Sequence, residues 1–240
     1  MAKIYSYVLR QDCGSAPNPF WGICTLTICK PDIRRKAQVG DWVIGVGSKR
    51  AELKKGKFCN FSNSLVYAMK ITEIKTLKEY DEFCRSSLKN KIPQCNAKDW
   101  RLRAGDCIYD YSKEGKSTIR RGAHDERHRK TDEKGANSLL STHFYYFGVD
   151  ARPLPIDLKE LIKKNQGHKI VRFDLVEKFE EWITKFEKNK IYADPQMRWL
   201  FDREITDKEL ASCAKKCLND DKNPKRQICV NLVKSVSSAC

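Results

Sequence analysis

The sequence predicts an α+β fold, a small β-barrel with flanking helices and a helical C-terminal appendage. Short β-patterned runs crowd the first 150 residues, helical periodicity replaces them after Pro153, and a capping signal near Thr206 opens a last helix. The expected strands are Ile4–Leu9, Gly22–Cys29, Asp41–Val46, Leu65–Ile74, Cys107–Asp110 and His143–Val149, enough to close a barrel. Asp41 is a common turn residue at a strand entrance, and glycines bound the Trp42–Val46 run, where backbone can approach a ligand closely. Phe144 and Tyr146 fall on one face of the last strand and His143, Tyr145 and Phe147 on the other, so it should be buried on both sides.

Between the strands, Leu77 to Leu88 reads as a helix opened by Thr76. Further on, Asp157–Lys164 and Asp174–Asn189 carry helical spacing, with Val176, Phe179, Ile183 and Phe186 on one face, and Pro195–Leu200 starts another turn. Thr206-Asp207-Lys208-Glu209 has capping-box form, which predicts a helix from Asp207 to about Leu218, before the break at Asn219–Pro224. The division expected is a binding core over 1–150, helices packed on it over 151–205, and a cysteine-containing tail over 206–240. There is no internal repeat and no low-complexity segment.

Composition narrows the partners. The 240 residues carry 47 Lys+Arg against 31 Asp+Glu, a formal net charge of +16, so the field favours an anionic partner, nucleic acid or nucleotide. No apolar run reaches the roughly 18 residues of a membrane span, and MAKIYSYVLR lacks the apolar core of a signal peptide, so a cytoplasmic protein with no membrane partner is expected. The 11 cysteines, odd in number and scattered, favour reduced thiols over a disulfide framework. Four of them, Cys213, Cys217, Cys229 and Cys240, crowd the tail without the spacing of a zinc knuckle pair. No metal and no cofactor is expected.

The densest candidate site runs from Asp12 to Arg50. Phe20 and Trp21 sit in a Pro-rich turn, and Lys30, Arg34, Arg35 and Lys36 form a basic run beside the glycine-bounded strand. Such cations suit phosphates, which fix position without reading sequence. Phe20, Trp21, Trp42 and Tyr67 are the rings available for base stacking. Arg34→Ala and Arg35→Ala should then abolish binding without unfolding the chain. A cysteine nucleophile is open at Cys24 or Cys29, but nothing in the sequence makes either thiol reactive rather than buried.

Two other stretches carry imidazoles. His124 and His128 stand at the i,i+4 spacing of a metal-binding helix, but RRGAHDERHRKTDEKG holds almost no apolar residue to dock such a helix on a core. His124 remains a candidate acid or base lining the site. His168 is as well suited to structural hydrogen bonding as to a ligand. No GxSxG, Walker loop or GxGxxG occurs.

The ordered pattern APNPFxGxCTLxxCKPxIRRxAQVGDWVxGxGSK, followed by LVYAMKITE, GDxIY, a polar loop with a histidine and FYYFG, resembles the second type of nucleotide modification associated domain. The resemblance spans most of Ile4 to Gly148. VGDWVIGVGSK and LVYAMKITEI also resemble the core of PUA-like domains of the ASCH and EVE types, small barrels that hold a base or nucleotide. What this implies is a PUA-like barrel in a system that modifies DNA or takes part in phage defence. Binding residues carried over are Asn18, Phe20, Thr25, Lys30, Arg34, Arg35, Trp42, Ser48, Tyr67 and Tyr145, with His124, Asp12 and Asp41 as catalytic candidates. Cys107 departs from the pattern, standing where Asn is expected. The function expected is recognition of a modified base in nucleic acid, DNA rather than RNA, or of a free nucleotide. The alternative is an enzyme acting on such a base, with His124 as acid or base and Asp12 or Asp41 orienting it.

Overall fold

A computed structural model describes residues 2–163, 167–171 and 174–201. The helix expected from Asp207 and the four tail cysteines lie outside the described residues.

The architecture is mixed α+β, dominated by a seven-stranded sheet. At its centre Trp42–Gly47 runs parallel to Ile4–Leu9 and antiparallel to Ser64–Lys70, which in turn pairs with Phe144–Tyr146. His168–Val171 flanks Ile4–Leu9 at one edge and Lys190–Ile191 flanks Phe144–Tyr146 at the other, while Arg152–Pro153 pairs with Ser64 and Leu65. The barrel expected from the strand count does not close among the described residues. The reason is visible in the burial of the central strands: all six residues of Trp42–Gly47 are buried. A strand apolar on both faces needs a covering layer on each side, as in a stacked sheet.

Those layers are distinct. Ile4, Trp42, Ile44 and Val46 face a layer of Leu158, Leu161, Leu175, Val176, Phe179 and Ile183. Tyr5, Tyr7, Val43, Tyr67 and Tyr146 face Cys24, Leu26, Ile33 and Leu139. Cys24–Leu26 and Leu139 belong to a smaller sheet in which Asn137–Ser141 pairs with both Cys24–Leu26 and Glu73–Thr76. Residues after 150 were expected as helices alone, yet they also supply both edge strands of the large sheet. The amphipathic helix Asp174–Ile183 forms as its spacing predicts but stops before Phe186, and the stretch expected as a helix from Asp157 is a 3₁₀ turn, Ile156–Leu161.

Two helices form where the sequence offered only charge. Pro31–Lys36 has proline at its start, where the missing N–H costs nothing, and Arg34, Arg35 and Lys36 at its end, where cations suit the dipole. Glu126–Glu133 is started by Asp125, whose carboxylate accepts from the Arg127 N–H, while His128 Nδ1 faces the Asp125 N–H at 3.2 Å. Thr76 caps Leu77–Ser87 in a full capping box with Glu79, as expected. Cys13, Cys24, Cys29, Cys84, Cys95 and Cys107 are outside disulfides, in line with the expected preference for reduced thiols, whereas Cys59 is disulfide-bonded. No helix of the described residues is long and apolar enough to cross a membrane.

Candidate functional site

The small sheet and the two charge-built helices bring Cys29, His124 and Asp132 together. His124 Nε2 stands 3.2 Å from Cys29 Sγ, and His124 Nδ1 stands 2.6 Å from Asp132 Oδ2. The carboxylate also accepts from the Cys29 N–H at 2.8 Å through Oδ1 and from the Tyr109 hydroxyl at 2.9 Å through Oδ2. One acid therefore fixes both the backbone of the sulfur-bearing residue and the ring that faces the sulfur. A nucleophile, a base within hydrogen-bond reach and an acid orienting that base is the arrangement of thiol and hydroxyl covalent catalysts.

The electrostatics favour a protonated His124 beside an ionised Asp132. Burial opposes protonation of His124, but the Asp132 carboxylate and the Cys29 sulfur outweigh it and hold the imidazole well above its ordinary range. Burial likewise pushes Asp132 up, and His124 and Arg34 more than reverse it, so the acid stays ionised. A thiol beside an imidazolium is drawn toward thiolate. Cys24, the other thiol open from the sequence, is fully buried, and burial pushes it up to about 12.

Backbone strain marks the same place. Cys29 has φ 61° and Lys30 φ 44°, left-handed values that non-glycine residues rarely hold unless the surroundings impose them. Arg34 and Asp132 both hold that backbone, at the Cys29 carbonyl and N–H. The Arg34 guanidinium is fully buried and donates to the carbonyls of Cys29, Asn137 and Asp132, and its Nη2 lies 3.8 Å from Asp132 Oδ1. Gly135 makes room for it, since a Cβ there would stand 2.4 Å from Arg34 Cζ.

Arg34, expected on a phosphate, is engaged as a strut inside the fold. Arg35 is exposed and meets Asp32 at 2.6 Å. Phe20 is buried with Cys13, Met197 and Phe201 and packs edge-on against Trp100, leaving no face for a base. Trp42 is a core ring that packs on Phe179 and donates from Nε1 to Glu180. Tyr145 is buried beside it, with ring centroids 6.3 Å apart. Tyr67 lies tight under Gly45, and its hydroxyl meets that of Tyr7 at 2.8 Å. Ser48 accepts from the Arg50 N–H in an exposed turn.

Asn18 and Thr25, both expected among the binding residues, surround a buried cation. Lys91 is fully buried, and its ammonium donates to the Asn18 and Ile23 carbonyls, to Asn18 Oδ1 and to Thr25 Oγ1 at 2.8–2.9 Å. Asp106 completes the cluster through Thr25 at 2.6 Å and Tyr80 at 2.8 Å. The cluster pins the Pro-rich turn to the small sheet. Neither acid proposed to orient His124 reaches it. Asp12 accepts from Tyr146 and the Gln196 N–H, and Asp41 caps the Lys3 and Gln38 N–H groups. Of the residues expected at the site, His124, Lys30 and Arg34 are at Cys29, with the Lys30 ammonium 4.7 Å from the centroid of the Tyr7 ring. Asp132 was missed because no spacing links it to Cys29.

The family model described as nucleotide modification associated domain 2 matches residues 1–203. The chain belongs to that family. The match covers every element around Cys29, so the Cys29–His124–Asp132 arrangement lies inside the nucleotide modification associated domain. Comparison with curated proteins and with solved structures returns no match for either.

Proposed function

We propose that this nucleotide modification associated domain is a cysteine-dependent enzyme that transfers or hydrolyses an acyl-type group on a nucleotide or a base in nucleic acid. The observation that carries the reading is the His124 imidazole held between Cys29 Sγ and Asp132. Cys29, as thiolate, attacks a carbonyl carbon, and His124 Nε2–H gives its proton to the departing amine or alcohol as the bond to that carbon breaks, leaving a thioester. Water or an amine then attacks the thioester, loses its proton to His124, and the sulfur departs as thiolate. Asp132 keeps the ring in the tautomer and orientation both steps need. The family supports nucleotide modification as the setting, and the +16 charge supports an anionic substrate.

Incubating the protein with normal and modified deoxynucleotides and oligonucleotides, and following conversion by mass spectrometry, tests this. Product formation abolished by both Cys29→Ser and His124→Ala is the expected result. Saturable binding of a modified base with no conversion, unchanged in Cys29→Ser, would favour the competing reading of a base-recognition module without turnover.

A further inference from the structure

We infer that Lys30, Lys36 and His168 form an anion subsite beside Cys29 that takes a phosphate group of the substrate. The inference rests on the enzymatic reading for what lies next to the phosphate, and on its own geometry for the phosphate itself.

The subsite is assembled around two tyrosines. In the ladder between Ile4–Leu9 and His168–Val171, Tyr7 stands opposite His168. The Lys30 ammonium lies 4.7 Å from the centroid of the Tyr7 ring, the neighbouring Tyr5 ring centroid lies 5.8 Å from that of His168, and the Tyr5 hydroxyl donates to the Lys36 carbonyl at 3.2 Å. The Lys30 ammonium and the imidazole of the neighbouring strand therefore lie on one face of the sheet, where Tyr5 also holds the Lys36 backbone and His168 feels the Lys36 charge. Tyr7 also links this cluster to the sulfur: Cys29, next in chain to Lys30, is close enough for its charge to push the Tyr7 hydroxyl up further after burial has done so.

Charge accounting supports an anion there. Burial depresses the His168 imidazole, Asp32 opposes it, and Lys36, Lys163 and Lys30 lower it further. The Asp32 carboxylate is engaged by Arg35 at 2.6 Å. Among the described residues, Tyr5 and Tyr7 also face His168. Lys36 is exposed, while Lys30, Lys163 and His168 are half-buried, so the positive charge is accessible from solvent and lies against aromatic walls. A phosphate dianion would relieve this repulsion through charge-assisted hydrogen bonds. Free nucleotides and nucleic-acid backbone share the chemistry, and a monoester dianion matches two ammonium groups and an imidazole that takes up its proton on binding better than a diester.

The test follows the His168 ring proton by NMR as a function of pH, with inorganic phosphate, a deoxynucleoside 5′-monophosphate, and a short oligodeoxynucleotide lacking terminal phosphate as separate probes. The monophosphate and inorganic phosphate are expected to move the His168 titration upward in pH. Lys36→Ala should weaken the monophosphate about tenfold, Lys30→Ala at least as much, and Lys30→Arg should restore it. A response to the oligonucleotide alone would assign the subsite to backbone phosphate instead of a free nucleotide. No movement of His168 with any probe, or equal affinity in wild type and Lys36→Ala, would overturn the subsite. Cys29 alkylation measured on the same samples separates the two claims. Fast, His124-dependent alkylation with a silent His168 removes the subsite only, and a responsive His168 with an ordinary Cys29 removes the enzymatic reading only.

Discussion

Replacing Arg34 by alanine discriminates most sharply between a strut and a phosphate ligand. Its guanidinium is fully buried, donates to three backbone carbonyls and lies 3.8 Å from the buried Asp132 carboxylate. Deleting it leaves Asp132 a buried charge with one cation fewer and three carbonyls without that donor. Removing one member of a buried ion pair costs about 3–5 kcal/mol. In a chain of this size each kcal/mol lowers Tm by about 2–4 °C, so a fall of roughly 6–20 °C is expected for Arg34→Ala. The neighbouring Arg35→Ala is the internal control. Both partners of its ion pair are more than half exposed, and such pairs contribute about 0.3–0.5 kcal/mol, a Tm change near 1–2 °C. Thermal unfolding followed by circular dichroism reads both variants. A Tm for Arg34→Ala within 2 °C of that for Arg35→Ala would refute the strut.

Three further outcomes follow from the same packing. Gly135→Ala places a Cβ 2.4 Å from Arg34 Cζ and should destabilise the fold by about 1–3 kcal/mol, measured by urea unfolding, while slowing alkylation of Cys29. Phe20→Ala should cost about 3–5 kcal/mol and leave nucleotide affinity of the folded protein unchanged by calorimetry, the reverse of a stacking residue. Burial, against hydrogen bonds from Tyr146, Gln196 and Gly14, raises the Asp12 carboxyl to about 6. Between its ordinary value near 3.9 and about 6 the folded state holds a proton that the unfolded state has released, so Asp12 makes stability fall as pH rises through that window and level off above it. Comparing urea unfolding of wild type and Asp12→Asn at pH 4, 5, 6 and 7 should show that downward component only in the wild type.

Local signals in the sequence carried over well to the structure. Ile4–Leu9, the strand at Trp42 and the Thr76 cap follow from apolar runs and capping chemistry that act within a few residues. Barrel closure did not follow, because a run such as Trp42–Gly47 has the same pattern whether its second face meets another strand or a helix. Phe20, Trp42 and Tyr67 were singled out by residue type, but type does not say which aromatic the core will absorb, and here it absorbs all three. Arg34 and Asp132 illustrate the opposite failure: two charged residues that any sequence rule assigns to solvent are buried against each other. The helix Glu126–Glu133 buries His128, Arg129 and Asp132, a polar face with no apolar periodicity to reveal it. Cys29 and His124 are 95 residues apart, so only the fold brings them together. His124 was legible because an imidazole in a polar loop is chemically conspicuous, and the thiol beside it was legible only as one of two.

The central claim is that Cys29 is held as a thiolate by His124, and the rate of Cys29 alkylation by iodoacetamide against pH, read by peptide mass mapping, tests it most directly. Wild-type Cys29 is expected to react at a rate that has already levelled off well below the ordinary thiol range near 8.5, with Cys24 inert, and His124→Ala should return Cys29 to a profile that climbs through that range. A wild-type profile that climbs through about 8.5 and is unchanged by His124→Ala would contradict the account.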